Sequence, residues 1–185
     1  MSSTLVVNVL DLLRRPGSEK SISVVAKAAV FDFGDSRIAD GDDVAVEIDL
    51  ESSSTGIVAE GSATVPWASM CRRCLRPVNG VAEAEITEAF SREVSAHRRN
   101  NEGAEDLAVD GDAEPLVGDQ IDFTLPVREA VLLAVPDAPL CRPDCPGLCP
   151  QCGADRATVS CRCVSETRDE RWAALDALRG NLDEG

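Results

Sequence analysis

Eight cysteines in four close pairs constrain this chain more than any other feature of its sequence. Six lie within Leu140–Cys163, LCRPDCPGLCPQCGADRATVSCRC, and the other two are Cys71 and Cys74. Cys71/Cys74 and Cys149/Cys152 have C-x2-C spacing, Cys141/Cys145 is C-x3-C, and Cys161/Cys163 is C-x-C. A C-x-x-C turn aims two sulfurs at one point, and Gly153 after the second turn frees backbone N–H groups to face the thiolates. Tetrahedral thiolate sites for zinc are built this way, at Zn–S distances of about 2.3 Å. Four pairs divide into two such sites.

Other cysteine chemistries stand beside this one. Disulfides need an oxidising compartment and favour short secreted chains. Residues 1–25 show no basic n-region, long apolar run or cleavage motif; Asn8 and Asp11 interrupt Leu5–Leu13. A redox C-x-x-C usually opens a helix after a buried strand, whereas Cys71-Arg-Arg-Cys74 is followed by Pro77 and Gly80. A catalytic zinc keeps a position open for water, and paired thiols leave none obvious. One or two structural zinc ions are therefore expected. The expected grouping is Cys71, Cys74, Cys141 and Cys145 at one site, with Cys149, Cys152, Cys161 and Cys163 at the other. The second set closes a short loop at little entropic cost. The alternative exchange joins Cys71/Cys74 with Cys149/Cys152.

The rest of the composition explains why metal would matter. Apolar residues are 44% of the 185, mostly Ala, Val and Leu, but aromatics are only 3%. Such a core buries little area per residue, and metal-binding free energy in a structural site is folding free energy. The net charge of −15 repels phosphate backbones over most of the surface and suits a basic protein partner better. No apolar run reaches the roughly 20 residues that span a bilayer. A soluble, cytoplasmic protein is expected, with no membrane and no small-molecule substrate as partner.

Along the chain, residues 5–13 read as a strand passing into a turn, and Ile22–Val30 is apolar without clear period. In Asp43–Ser52, Val44, Val46, Ile48 and Leu50 alternate with Ala45, Glu47 and Asp49, the pattern of a half-buried strand. Ile57–Trp67 is its expected hairpin partner. In Val78–Phe90, Ala82, Ala84 and Ile86 alternate with Glu83, Glu85 and Thr87, which places the first C-x-x-C between two antiparallel strands. Asn100–Asp122 has eight acidic residues and no Lys or Arg, the composition of a solvated insert about 98–120. A helix follows over Pro126–Val135, with Asp122 or Thr124 as cap and Val127, Ala130, Val131 and Ala134, extended by Leu132 and Leu133, facing the sheet. Thr167-x-x-Glu170 is a capping box opening a last helix through Trp172, Leu175 and Leu178. His97 has no visible partner and receives no role. The expectation is α+β: an antiparallel sheet from Leu5 to about Glu93 with one packed helix in residues 1–138, then a cysteine-rich zinc lobe in 139–185 ending in a short helix. Arg72, Arg73, Arg76 and Arg142 surround the cysteines of the first site. They either neutralise thiolates or contact RNA or another partner, and arginine's forked head suits phosphate.

The order of these features resembles the YceD family, whose name refers to accumulation of the large ribosomal subunit's 23S RNA. The residues that carry it are Cys71-Arg-Arg-Cys74-Leu75, a helix ending Leu-Ala-Val-Pro, and Leu-Cys-x3-Cys-x-Gly-Leu-Cys-Pro-x-Cys-Gly with the later Cys-x-Cys. The likeness runs from about Val6 to Leu178, except that Asp155-Arg156-Ala157 replaces an Asn-rich stretch. It implies a non-enzymatic factor in ribosome biogenesis whose partner is a large-subunit precursor, met through ribosomal protein or 23S rRNA. The other class is a thiol oxidoreductase or another zinc-dependent enzyme, although no carboxylate pair, Ser/His constellation or phosphate loop supports it.

Overall fold

The computed structural model describes residues 5–91, 113–116 and 118–163. His97, most of the acidic insert and the helix expected through Trp172 lie outside them. The chain divides into two compact units: Met1–Met70 with Pro77–Pro139, and Cys71–Arg76 with Leu140–Gly185.

The first unit is built on a five-stranded sheet of β2 (Glu19–Lys27), β3 (Asp43–Ser52), β4 (Gly56–Met70), β5 (Pro77–Ser91) and β6 (Glu114–Pro115), in that order. The first three pairings are antiparallel and the short β5–β6 pairing is parallel. The alternation read in β3 is the alternation observed: Val44, Val46, Ile48 and Leu50 are buried, and Asp43, Glu47, Asp49 and Glu51 are exposed. Ala82, Ala84 and Ile86 of β5 are likewise buried. Pro66 is tolerated within β4 because the β3 register ends at Thr64. The next N–H in that phase, Ala68, donates to the Arg37 carbonyl instead of a strand, so a proline two residues earlier removes no ladder bond.

One expectation about the sheet is corrected. It does not begin at Leu5. β1 (Val6–Asn8) pairs with β7 (Gln120–Asp122) in a separate two-stranded sheet. The turn expected after β1 is a helix, α1 (Leu10–Arg14), whose first N–H is taken by the Asn8 side chain at 3.1 Å. β2 also ends earlier than Val30, since Ala28–Val30 forms a 3-10 turn.

The helix over the sheet is α2 (Thr124–Ala134). Its entry is fixed by Asp122, whose carboxylate accepts both the backbone N–H (2.9 Å) and the hydroxyl (2.6 Å) of Thr124. Val127 and Val131 are fully buried, and Ala130, Leu132 and Ala134 pack partly against the core. Leu133 does not extend that face: it is 88% exposed. The four phenylalanines compensate for the small side chains by pairing. Phe31 stacks on Phe33 with centroids 5.4 Å apart, and Phe90 meets Phe123 edge-on at 5.6 Å. Aromatic pairs of this kind contribute about 1 kcal/mol beyond their burial.

A buried hydroxyl links the sheet to α1. Ser52, 2% exposed, donates from Oγ to the Leu12 carbonyl at 2.7 Å. Ser52→Ala is expected to lower stability by about 1 kcal/mol, measured as a shift in the urea midpoint at constant slope. An unchanged midpoint would mean that this bond contributes nothing net.

Candidate metal centre

The second unit holds all eight cysteines, and two copies of one backbone turn position half of them. In each C-x-x-C, the residue after the second cysteine returns its N–H to the carbonyl of the first: Leu75 to Cys71 at 2.9 Å, Gly153 to Cys149 at 2.8 Å. In each, the first cysteine's N–H then bonds a carbonyl five residues on, Arg76 or Ala154, both at 2.8 Å. The turn needs a left-handed residue at its close. Gly153 provides it at φ 71°, while Leu75 adopts φ 59° despite its side chain, at a cost of about 1–2 kcal/mol. The same turn thus recurs where the sequence offers no glycine to announce it.

The turns are joined by backbone contacts. Leu148 N–H, beside the second turn, donates to the Arg73 carbonyl of the first at 3.0 Å, while Arg156 N–H closes the second turn's own loop on the Gly147 carbonyl at 3.0 Å. Gly147 has φ 73°, and a Cβ there would stand 3.0 Å from the Arg73 carbonyl oxygen. The left-handed backbone and this close approach together favour glycine here, since a side chain would be strained and would push the Arg73 carbonyl away.

These turns gather the sulfurs into two groups of four. Cys71, Cys74, Cys141 and Cys145 form one, and Cys149, Cys152, Cys161 and Cys163 the other; within each group all sulfurs lie within 4.8 Å of one another. Cys71 and Cys145 sulfurs are 3.8 Å apart, and those of Cys74 and Cys141 are 3.6 Å apart. Thiolates about 2.3 Å from a tetrahedral centre stand about 3.8 Å from each other, so the donor set fits a tetrahedral ion. Each group can hold a metal. The grouping is the one expected from loop closure, not the exchanged alternative. All eight are free thiols.

The two groups differ in exposure. In the first, Cys71, Cys74 and Cys145 are buried and Cys141 is exposed; in the second only Cys149 is buried. Burial pushes the Cys71 thiol up, but N–H donors from Cys141, Cys74 and Arg73 outweigh it and bring it down to about 6. For Cys149, N–H groups of Cys152 and Gln151 dominate and bring it to about 6. Cys141 is pushed up to about 12, first by its contact with Cys145 and then by burial, and Cys163 rises to about 12 through Cys152 and burial. Each group therefore pairs a thiol that is mostly thiolate at neutral pH with one whose proton leaves only when a metal ion displaces it. That is the proton inventory of a site that exchanges protons for metal.

A family described as large ribosomal RNA subunit accumulation protein YceD matches residues 59–179. The chain belongs to the YceD family. Uncharacterized proteins of Mycobacterium tuberculosis and Mycobacterium bovis are each 35% identical over 184 residues, 97% of this chain and 84% of theirs. A Mycobacterium leprae relative, also uncharacterized, is 31% identical over 82% of this chain and 67% of its own. No solved structure matches. The YceD match covers β4 from Ala59 onward, β5, α2 and every cysteine.

In this YceD protein the four arginines named from sequence do different things. Arg73 donates from Nη1 to the Cys145 carbonyl at 2.9 Å, bracing the first group. Arg76 pairs with Asp155, so the segments that follow the two turns meet. Arg142 has an exposed ion pair with Asp144 at 3.3 Å, an arrangement of little energetic weight. Arg72 is exposed and makes no ion pair among the described residues. Sequence reasoning missed Asp155 and Gly147. Asp155 receives the Ala157 N–H at 2.9 Å; that bond, outweighing burial, and the charges of Arg76 and Arg142 hold its carboxyl below the usual carboxylate range. The departure at Asp155-Arg156-Ala157 could have marked it.

Proposed function

We propose that this protein is a non-enzymatic factor that supports accumulation of large-subunit ribosomal RNA, with zinc as the scaffold of its cysteine unit. The family match carries the reading. The donor sets support zinc as a structural ion. Four thiols fill a tetrahedral shell, and soft thiolate ligands at that geometry select zinc over harder cations. The factor acts in the cytoplasm on a large-subunit precursor, through ribosomal protein or 23S rRNA. Arg72 and Arg142 are the side chains this reading assigns to the partner, because Arg73 and Arg76 are held within the unit.

The test is removal of the gene from its host, with 23S and 16S RNA and subunit profiles compared. The 23S share is expected to fall and to return with the wild-type gene. Complementation by Arg72→Glu/Arg142→Glu, with metal content intact, is expected to restore it only in part. An unchanged 23S to 16S ratio on gene removal ends the proposal. A redox-active dithiol in the metal-loaded protein would replace it with a thiol oxidoreductase.

A further inference from the structure

The five-stranded sheet has two edges, and they are not treated alike. The β2 edge carries Lys20 and Lys27, the kind of charge that discourages strand addition. β5 is 15 residues long and pairs with β4 throughout, yet on its other side β6 meets it only at Phe90 and Ser91.

The ladder shows where the free backbone groups of β5 point. Ala68 of β4 sends its N–H to Arg37, away from β5, and lies opposite Asn79. Asn79 therefore turns its own N–H and C=O away from β4. Alternation gives the same direction to Val81, Glu83, Glu85 and Thr87. Ser91, in the same phase, confirms it: its carbonyl accepts the Leu116 N–H beyond the edge. Among the described residues nothing bonds to the run from Asn79 to Thr87 on this side. No proline or lysine protects it.

The flanks of the edge specify what fits. On the outer face of the sheet, Glu85, Ser62 and Glu47 lie side by side across three strands, and Asp49 stands directly opposite Glu60. Glu60 and Asp49 lie one and two strands in from β5 and add to the negative field of this face, while the carboxylates beside the edge itself are the exposed Glu83 and Glu85. On the inner side lies α2, where Leu125, Glu129 and Leu133 share one stripe by their spacing of four. Both leucines are open to solvent, at 53% and 88% exposure. Burial raises the Glu88 carboxyl of β5, and the charges of Glu114 and Glu129 raise it further, so this stripe runs near the strand.

We propose that the open edge of β5 receives an extended protein segment as an added strand, its lysines or arginines alternating with apolar residues. The basic residues lie over Glu83 and Glu85, and the apolar ones turn toward Leu125 and Leu133. A second copy of this chain fits poorly, since it would oppose Glu83 and Glu85 with the same charges. The proposal goes beyond the ribosomal reading and does not depend on it.

The experiment uses the full, metal-loaded chain and a fluorescent peptide of alternating lysine and valine, with a glutamate–valine peptide as control. Binding of the basic peptide is expected to slow amide exchange at Val81, Glu83 and Glu85 at least about tenfold. Glu83→Lys/Glu85→Lys is expected to weaken binding at least about tenfold. Val81→Pro/Thr87→Pro keeps every acidic charge but removes two outward N–H groups and is expected to abolish binding, with metal content unchanged. Binding without slower exchange at these amides, or undiminished by the proline pair, reduces the effect to charge attraction and overturns the proposal. So does protection that grows with protein concentration alone, which marks a second copy. Protection by single-stranded RNA, and not by the peptide, overturns it too. None of these outcomes bears on 23S levels, which decide the ribosomal reading separately.

Discussion

Replacing Cys161 and Cys163 together by serine is expected to remove one bound metal of two and to leave the Cys71 group loaded. The expectation rests on the sulfur groups being separate sets of four, each complete without the other. The reciprocal pair, Cys71→Ser/Cys74→Ser, is expected to do more. Three of the four cysteines in that group are buried, and without metal the segment Cys71–Arg76 keeps, among the described residues, a few bonds to its unit from Arg73, Leu148 and Arg76. Metal content by mass spectrometry and melting of the loaded protein check both. Loss of both ions on removing Cys161 and Cys163 would show one coupled site. The pH dependence follows from the thiols. Cys71 and Cys149 have folded values near 6, below the ordinary thiol value of 9.0. A depressed value means that their thiolate contribution is complete above the ordinary thiol range and is lost as pH falls through about 6. Cys141 and Cys163, near 12, keep their protons until metal displaces them. Loading at neutral pH should therefore release protons, and metal should leave the protein as the solution is acidified below about 6.

Legibility followed how local the physics was. β3 could be read residue by residue because one face is buried and the other wet, and the period of two survives intact in Val44–Leu50. The cysteine grouping was legible for a related reason: spacing and short loops leave few ways to bring eight sulfurs together. β1 was not legible as part of a separate sheet. Its partner, β7, lies more than a hundred residues on, and three residues of strand carry no record of which neighbour they bond. Leu133 misled because an apolar residue at helical spacing says which face it shares and not whether anything covers it. The arginines were visible as a cluster, but their division was not. Whether Arg73 reaches the Cys145 carbonyl or solvent depends on how the two turns interlock, which Gly147 decides by allowing the approach.

Gly61→Ala is expected to destabilise the first unit by about 4 kcal/mol, far more than one methyl group would suggest. Gly61 lies in β4 opposite Ile48, within a strand paired on both sides. A Cβ at this position would stand 2.1 Å from the Glu47 carbonyl oxygen and 2.8 Å from the Ile48 Cα. Both are backbone atoms, so no side-chain rotation relieves the overlap. The β3–β4 ladder must open locally, loosening ladder bonds and the packing of Ile48 below it. Gly41→Ala is the control, since a methyl group added there would meet nothing within 4 Å and its backbone is not left-handed. That change is expected to stay within about 0.5 kcal/mol of wild type. Urea unfolding of the two variants, both metal-loaded, separates the cases. Equal midpoints would mean that β4 can shift sideways without cost, which the fifteen-residue register against β5 opposes at every position.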